Sequence, residues 1–184
     1  MDCGVESYRT FLSGDQEGLS AIVRDYKDGL ILYLNGIVQN ISVAEDLTED
    51  VFVKLIVKRP KFSAESSFKT WLYTIGRNIA VSYLRRNRHV HIPLENCPEL
   101  MDEEKNLERQ YIQKENHRIL HNAMKKLKPE YHQVLWLIYF EGFSNKETAR
   151  IMGKTVHNTE TLAYRARRDL KVKLYEEGYE YENL

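Results

Sequence analysis

The chain has 184 residues, 42% of them apolar, with 27 Lys or Arg balanced by 27 Asp or Glu. That length holds one ordinary domain or two small ones, and the apolar share suffices for packed cores. Zero net charge implies no particular partner, the separated Cys3 and Cys97 ask for neither a disulfide nor zinc, and the N-terminus lacks a signal-peptide core.

In chain order, the pattern is helical. Residues Tyr8–Leu12, Gln16–Tyr26 and Lys27–Gln39 are expected to form helices, the last with Leu30, Leu34, Ile37 and Val38 on one face. The apolar stretch Leu30–Val43 is broken by Asn35, Gly36, Gln39 and Asn40, so it is too short and too polar to span a bilayer. Ser42–Glu45 has the form of a capping box that would open a helix to about Val57, with Leu47, Val51, Leu55 and Ile56 on one face. Pro60 should end it. A polar loop, Lys61–Ser67, precedes a long helix, Phe68–Arg86, marked by Phe68, Trp71, Leu72, Ile75, Ile79 and Leu84.

Charge is unevenly spread. Residues 1–57 carry four cations against ten acids, 58–88 eight against one, 89–110 two against six, and 111–184 thirteen against ten. A basic block therefore stands between acidic flanks. Within it, Phe62, Phe68, Trp71, Tyr73 and Tyr83 alternate with Lys58, Arg59, Lys61, Lys69, Arg77, Arg85, Arg86 and Arg88. Aromatic faces stack on unpaired bases while cations follow phosphates, a combination suited to single-stranded nucleic acid. The plainer alternative makes Phe68 and Trp71 core residues and the arginines a solvated face. Core is favoured for Trp71, Leu72 and Ile75. Arg85, Arg86 and Arg88 exceed what a helix dipole needs, which favours phosphate contact.

From about His89 to Glu104 the periodicity fails, and Pro93, Pro98 and the acids Asp102–Glu104 suggest an inter-domain linker. A helix should resume between Lys105 and Gln110 and reach Leu127, followed by Glu130–Phe140 with Pro129 at its first turn. Ser144–Glu147 is a further capping box. Gly153 marks a turn, and a second helix starts at Thr155 or Val156, carrying Tyr164, Arg165, Arg167 and Arg168 in or near its last two turns. A capped helix, a Gly turn and a basic helix form a helix-turn-helix, whose second helix enters the major groove of duplex DNA. A plain surface hairpin is the alternative.

Together Ala44–Ile56 (AEDLTEDVFVKLI), Phe68–Arg86 (FKTWLYTIGRNIAVSYLRR), Leu127–Gly153 and Tyr164–Leu170 (YRARRDL) resemble bacterial RNA polymerase sigma factors, specifically the small extracytoplasmic-function (ECF) type of the sigma-70 family. The resemblance covers nearly the whole chain apart from the linker and the acidic tail. It implies an all-α fold of two small helical domains joined by a flexible linker, the C-terminal one a helix-turn-helix. The expected divisions are residues 1–90, a linker at 91–112, residues 113–174 and an acidic tail at 175–184.

The resemblance also implies roles. Asp46, Thr48, Glu49, Val51, Phe52 and Leu55 would dock on the clamp helices of the largest subunit of core RNA polymerase. The flap of the second-largest subunit is a further expected partner. Phe62, Ser66, Ser67, Phe68, Lys69, Arg77, Asn78, Arg85, Arg86 and Arg88 would capture a flipped base and hold the melted non-template strand of the minus-ten element. A pocket with stacking and hydrogen bonds must offset the cost of flipping. Lys154, Thr155, His157, Asn158, Thr161, Tyr164, Arg165 and Arg168 would meet the duplex minus-thirty-five element, with Arg suited to guanine and Asn to adenine. The chain departs from the family where Glu160 and Leu162 replace common cations. Upstream contact is then expected to be weaker or unusual in sequence preference. An anti-sigma factor is a further partner the resemblance allows.

Other constellations are weak. His89, His91 and Cys97 lack the ligand count of a structural zinc site. Asp46, Glu49 and Asp50 have no phosphate loop beside them, so no enzyme, metal or cofactor is expected. The protein should be cytoplasmic, without membrane insertion. The tail, rich in Glu and Tyr, could cover the recognition helix. Rival readings are a stand-alone helix-turn-helix DNA-binding regulator and a sigma-like adaptor that does not melt DNA.

Overall fold

The computed structural model describes residues 3–63, 65–87 and 118–179. Every regular element among them is a helix. Helix α1 (Cys3–Leu12) and α2 (Gln16–Val38) form a hairpin. Gly14, at φ 104, makes the turn, in a region closed to most side chains. The Asp15 carboxylate then caps α2 by accepting from the Glu17 amide at 2.9 Å.

The two helices expected over Gln16–Tyr26 and Lys27–Gln39 are one. Nothing at Lys27-Asp28-Gly29 removes a backbone donor, and a helical Gly costs only about 1 kcal/mol. Packing offsets that cost: a Cβ on Gly29 would stand 2.6 Å from the Tyr73 hydroxyl.

Helix α3 (Ile41–Lys58) starts earlier than the Ser42 box suggests. Its cap is Asn40, whose side chain accepts from the Val43 amide at 3.0 Å, so Ser42 falls within the first turn. Gln39, at φ 54, turns the chain between α2 and α3, and Arg59, at φ 41, ends α3 before Pro60. Helix α4 (Phe68–Arg86) has the expected bounds, with Ser67 accepting from the Thr70 amide at 3.2 Å.

These helices bury Ile22, Leu30 and Leu34 of α2, Leu47, Val51 and Leu55 of α3, and Phe68 and Leu72 of α4. Each fully buried Leu, Ile or Phe contributes about 2 kcal/mol. Tyr8 of α1 closes one end, stacking near Phe68 and Trp71 and donating to the Pro60 carbonyl at 2.7 Å.

The second group begins with α5, described over 118–125. Helix α6 (Pro129–Leu135) passes into a π-helical turn, Trp136–Phe140, where a uniform helix was expected. The Glu141 amide donates to the Trp136 carbonyl at 3.1 Å, five residues back, which is the π spacing. Helix α7 (Asn145–Met152) has both halves of the Ser144/Glu147 capping box, and Gly153 ends it at φ 64. Thr155 caps α8 (Val156–Glu176). Because α8 runs on to Glu176, Tyr164 to Arg168 lie mid-helix rather than in its last two turns.

The two groups pack on each other, α7 against α4 and α6 against α2, and share one continuous core. The linker expected at 91–112, the helix start expected between Lys105 and Gln110, the His89/His91/Cys97 set and Arg88 lie outside the described residues. So does the end of the tail, 180–184. Its beginning is helical up to Glu176, and Glu177 pairs with Lys126 of the segment after α5.

Candidate nucleic-acid interface

Helix α3 divides the residues expected to dock on polymerase. Asp46 and Glu49 are exposed, whereas Thr48, Val51, Phe52 and Leu55 are buried. The spacing explains this: 48, 51, 52 and 55 recur at three and four residues and face α2 and α4. Buried side chains cannot touch a partner without unfolding, so these four hold the helix in place. What α3 offers outward is Glu45, Asp46, Glu49 and Asp50, followed by exposed Val53, Ile56 and Val57.

The loop before α4 and the start of that helix form the second surface. Phe68 is fully buried, and the half-buried Phe62 packs on it edge-on, with ring centres 5.9 Å apart. Phe62 also meets Trp71 at 5.5 Å. Phe68 is therefore a wall of the aromatic cluster rather than a free stacking platform. Ser66, Ser67 and Lys69 are half-buried beside it. Farther along α4, Asn78, Arg85 and Arg86 are exposed and Arg77 half-buried. Arg77 lies near Tyr33, whose hydroxyl is pushed above its usual range by burial, against the opposing pull of that guanidinium. The exposed arginines are thus at the far end of α4, whereas Lys69 stands beside the serines.

The helix-turn-helix is formed by α7, Gly153 and α8. His157, Asn158, Glu160, Tyr164, Arg165 and Arg168 are exposed on α8, with Thr161 half-buried. Thr155 is exposed and spends its hydroxyl on the cap, accepting from the Asn158 amide at 3.2 Å. Lys154 is paired with Glu130 at 3.3 Å. Leu162 packs against the core, so it is not a cation missing from the groove-facing side, whereas Glu160 is fully on the outer face. Arg167 donates to the Tyr139 hydroxyl at 2.9 Å, tying α8 to the π turn.

Sequence reasoning passed over a seam of carboxylates. Lys69 pairs with the Glu141 carboxylate at 2.9 Å and donates to its carbonyl at 2.8 Å. Glu141 also accepts from the Trp136 indole at 3.2 Å. Glu147 accepts from the Thr70 hydroxyl at 3.1 Å and from Ser67 at 3.3 Å while completing its own capping box. Burial raises the Glu147 carboxyl, but the hydrogen bonds from Ser144, Thr70 and Ser67 outweigh it and leave it below the usual carboxylate value. Burial, then the charge and hydrogen bond of Glu141, push the Tyr73 hydroxyl up. Glu147 had a local signal, the capping box. Nothing in the sequence marks Glu141.

Among the described residues, no group of three or more His, Cys, Asp or Glu side chains is placed to hold a metal ion. No described helix is long and apolar enough to cross a membrane.

An all-helical chain with a capped helix-turn-helix and a separate basic-aromatic helix defines a DNA-binding protein of two helical modules. Residues 22–90 match the Sigma-70 region 2 family, and residues 117–170 match Sigma-70, region 4. The chain is 28% identical over 158 residues to RNA polymerase sigma factor YlaC of Bacillus subtilis (85% of this chain, 91% of that one). It is 27% identical over 160 residues to ECF RNA polymerase sigma factor BldN of Streptomyces coelicolor (86% of this chain), of which it spans only 61%. The fold is similar to that of the sigma factor RpoE from Bartonella quintana, solved with the anti-sigma factor NepR: TM-score 0.68, 23% identity, 85% of this chain and 96% of that one. CnrH, solved with the cytosolic domain of CnrY, gives a TM-score of 0.63 at 20% identity, covering 95% of this chain and 96% of that one.

The chain belongs to the sigma-70 family of RNA polymerase sigma factors and is of the ECF type. It is a transcription-initiation factor that binds core RNA polymerase and DNA, and it is not an enzyme: catalysis belongs to the polymerase.

Proposed function

We propose that this sigma factor docks on the clamp helices of the largest polymerase subunit through the acidic outer face of α3, chiefly Asp46 and Glu49. The second module would meet the flap of the second-largest subunit. Phe62, Ser66, Ser67 and Lys69 hold the melted non-template strand of the minus-ten element, and Arg77, Asn78, Arg85 and Arg86 follow its phosphates. Helix α8 reads the minus-thirty-five duplex through Asn158, Tyr164, Arg165 and Arg168, with His157 and Thr161 beside them. Lys154 and Thr155 sit at the helix start, where phosphate contact is favoured. The protein acts in the cytoplasm with the polymerase. The Bartonella quintana relative, solved with the anti-sigma factor NepR, supports a partner of that kind here.

The observation that carries this reading is the sorting of charge on one fold: exposed acids along α3, exposed cations at the end of α4 and along α8. A sensor module would have no use for the basic α4. The test is co-elution with bacterial core RNA polymerase, comparing wild type with Asp46→Arg/Glu49→Arg. Both positions are exposed, so the fold should persist. Binding by the wild type and loss in the variant is expected. Duplex DNA binding with no polymerase binding by the wild type would favour a stand-alone regulator. Permanganate-reactive thymines at a bound promoter would separate a melting factor from an adaptor.

A further inference from the structure

We propose that α1 belongs to the strand-holding site: Tyr8 is a positioning residue that fixes the start of the loop before α4 and the seat of the Phe62 ring. This rests on the reading of that loop as the minus-ten strand site. Helix α1 stands outside residues 22–90, the span that matches region 2 of the family.

Tyr8 is buried, and it makes two kinds of contact that an aliphatic side chain could not. Its hydroxyl donates to the Pro60 carbonyl at 2.7 Å, across 52 positions of the chain. A peptide unit is planar, so a bond to that oxygen also orients the Lys61 amide and aims the chain towards Phe62. The Tyr8 ring lies 5.5 Å from Phe68 and 5.4 Å from Trp71. Those are the two rings that Phe62 meets, at 5.9 and 5.5 Å. Tyr8 and Phe62 thus hold the same pair of rings, Tyr8 from within the core and Phe62 from its half-buried edge.

A second hold lies one turn further along α1. Phe11, also buried, carries the Arg59 guanidinium over its ring at 5.4 Å. Arg59 is where α3 ends, at φ 41, a conformation that is costly for a residue with a Cβ and persists only where its surroundings impose it. Arg59 and Pro60, which open the loop, are therefore both fastened to α1. The helix is seated closely enough to act as a fixed frame. A Cβ on Gly4 would stand 2.5 Å from the Phe68 ring, and one on Gly18 of α2 would stand 2.3 Å from the Ser7 carbonyl. A ring that receives an unpaired base gains from being held before the base arrives, because ordering a side chain on binding lowers affinity. Tyr8 does not touch the strand; it acts through Phe62.

The test uses holoenzyme assembled from the full chain and bacterial core RNA polymerase. A single-stranded DNA pool of randomised sequence, about twelve nucleotides long, is selected on wild-type holoenzyme. The strand most enriched over selection on core polymerase alone becomes the fluorescein-labelled probe. Tyr8→Phe keeps the ring and removes the bond to Pro60. Ile37→Val, at a buried position near the end of α2, gives a comparable loss of stability away from the loop. Anisotropy should show Tyr8→Phe about three- to tenfold weaker than wild type and Ile37→Val within about twofold of it. In a Phe62→Ala background the Tyr8 change should have no further effect, the mark of a residue that acts through another. Equal binding by Tyr8→Phe and wild type overturns the proposal. So does a loss of the same size in the Phe62→Ala background, since Tyr8 would then only support the fold.

If Tyr8→Phe does not fold, Phe11→Leu, which takes the ring from under Arg59, answers by the same two criteria. A pool that yields no strand enriched over core polymerase alone, or full binding by Phe62→Ala, defeats the reading of the loop itself and the proposal with it.

Discussion

Gly36 shows how one missing Cβ lets two modules meet. It lies in the middle of α2, where an alanine would favour the helix by about 1 kcal/mol. A Cβ there would stand 2.2 Å from the His132 ring, which belongs to α6 of the other module. The ring is not free to move away, since it stacks on Trp136 at 5.8 Å with 7° between planes, and Trp136 stacks on Phe140 at 4.4 Å. Overpacking of this kind costs about 1–3 kcal/mol and should outweigh the helix gain. Gly36→Ala is therefore expected to lower the melting temperature of the full chain. A rise would mean that His132 and its stack shift at little cost. The pattern of residues around position 36 gives only a weak spot in a helix; the reason for it sits nearly a hundred residues away and is invisible to local reading.

At the scale of elements, what was legible follows from local chemistry. Phe68–Arg86 was readable because its apolar spacing is regular, whereas its cap, Ser67, read only as the end of a polar loop. Ser144, Glu147 and Gly153 were readable because each satisfies a helix end that otherwise leaves donors or acceptors unpaired. Ser144→Ala should cost about 1 kcal/mol, the usual value of an N-cap, seen as a lower melting temperature and faster amide exchange in the first turn of α7. No change would mean that Glu147, held also by Ser67 and Thr70, orders the turn unaided. The Ser42 box misled because Asn40, two residues earlier, caps the same helix with better placement. The break expected between Tyr26 and Lys27 has no cap or breaking residue behind it, and Gly29, inside the second expected helix, is held by Tyr73 and Glu141 packed against it. The π turn left no mark in the sequence, although it sets the direction of Glu141. Among the candidate site residues, spacing alone could have separated Val51 and Leu55 from Asp46 and Glu49. The occupation of Lys69 and Ser67 by acids of the other module depends on tertiary packing.

At the scale of the whole molecule, the seam that joins the modules should respond to acid. His132 sits in it against Gly36, and burial, with a smaller contribution from the charge of His121, lowers its pKa from 6.5 to about 4. The folded, closed protein thus refuses a proton that the unfolded chain accepts. The stability tied to neutral His132 is fully present above pH 6.5 and is lost as pH falls from there towards 4. Glu147 acts in a lower window: its pKa lies below the ordinary 4.5, so its contribution fades only as pH falls through that folded value. An interval around pH 5 to 6.5 therefore separates the histidines, His132 and His121, from the carboxylates; burial and the Lys125 charge lower the His121 pKa as well, and the His132→Leu variant separates the two. Each pH unit there is worth up to about 1.4 kcal/mol, and the partial exposure of the ring reduces this, so a fall from about pH 7 to about pH 5 should cost about 1–2 kcal/mol. Denaturant titrations of the full chain at the two pH values measure it, and His132→Leu, which cannot titrate, should flatten the dependence. A wild type equally stable at both values would mean that the closed seam admits the proton, by opening or by hydrating the ring.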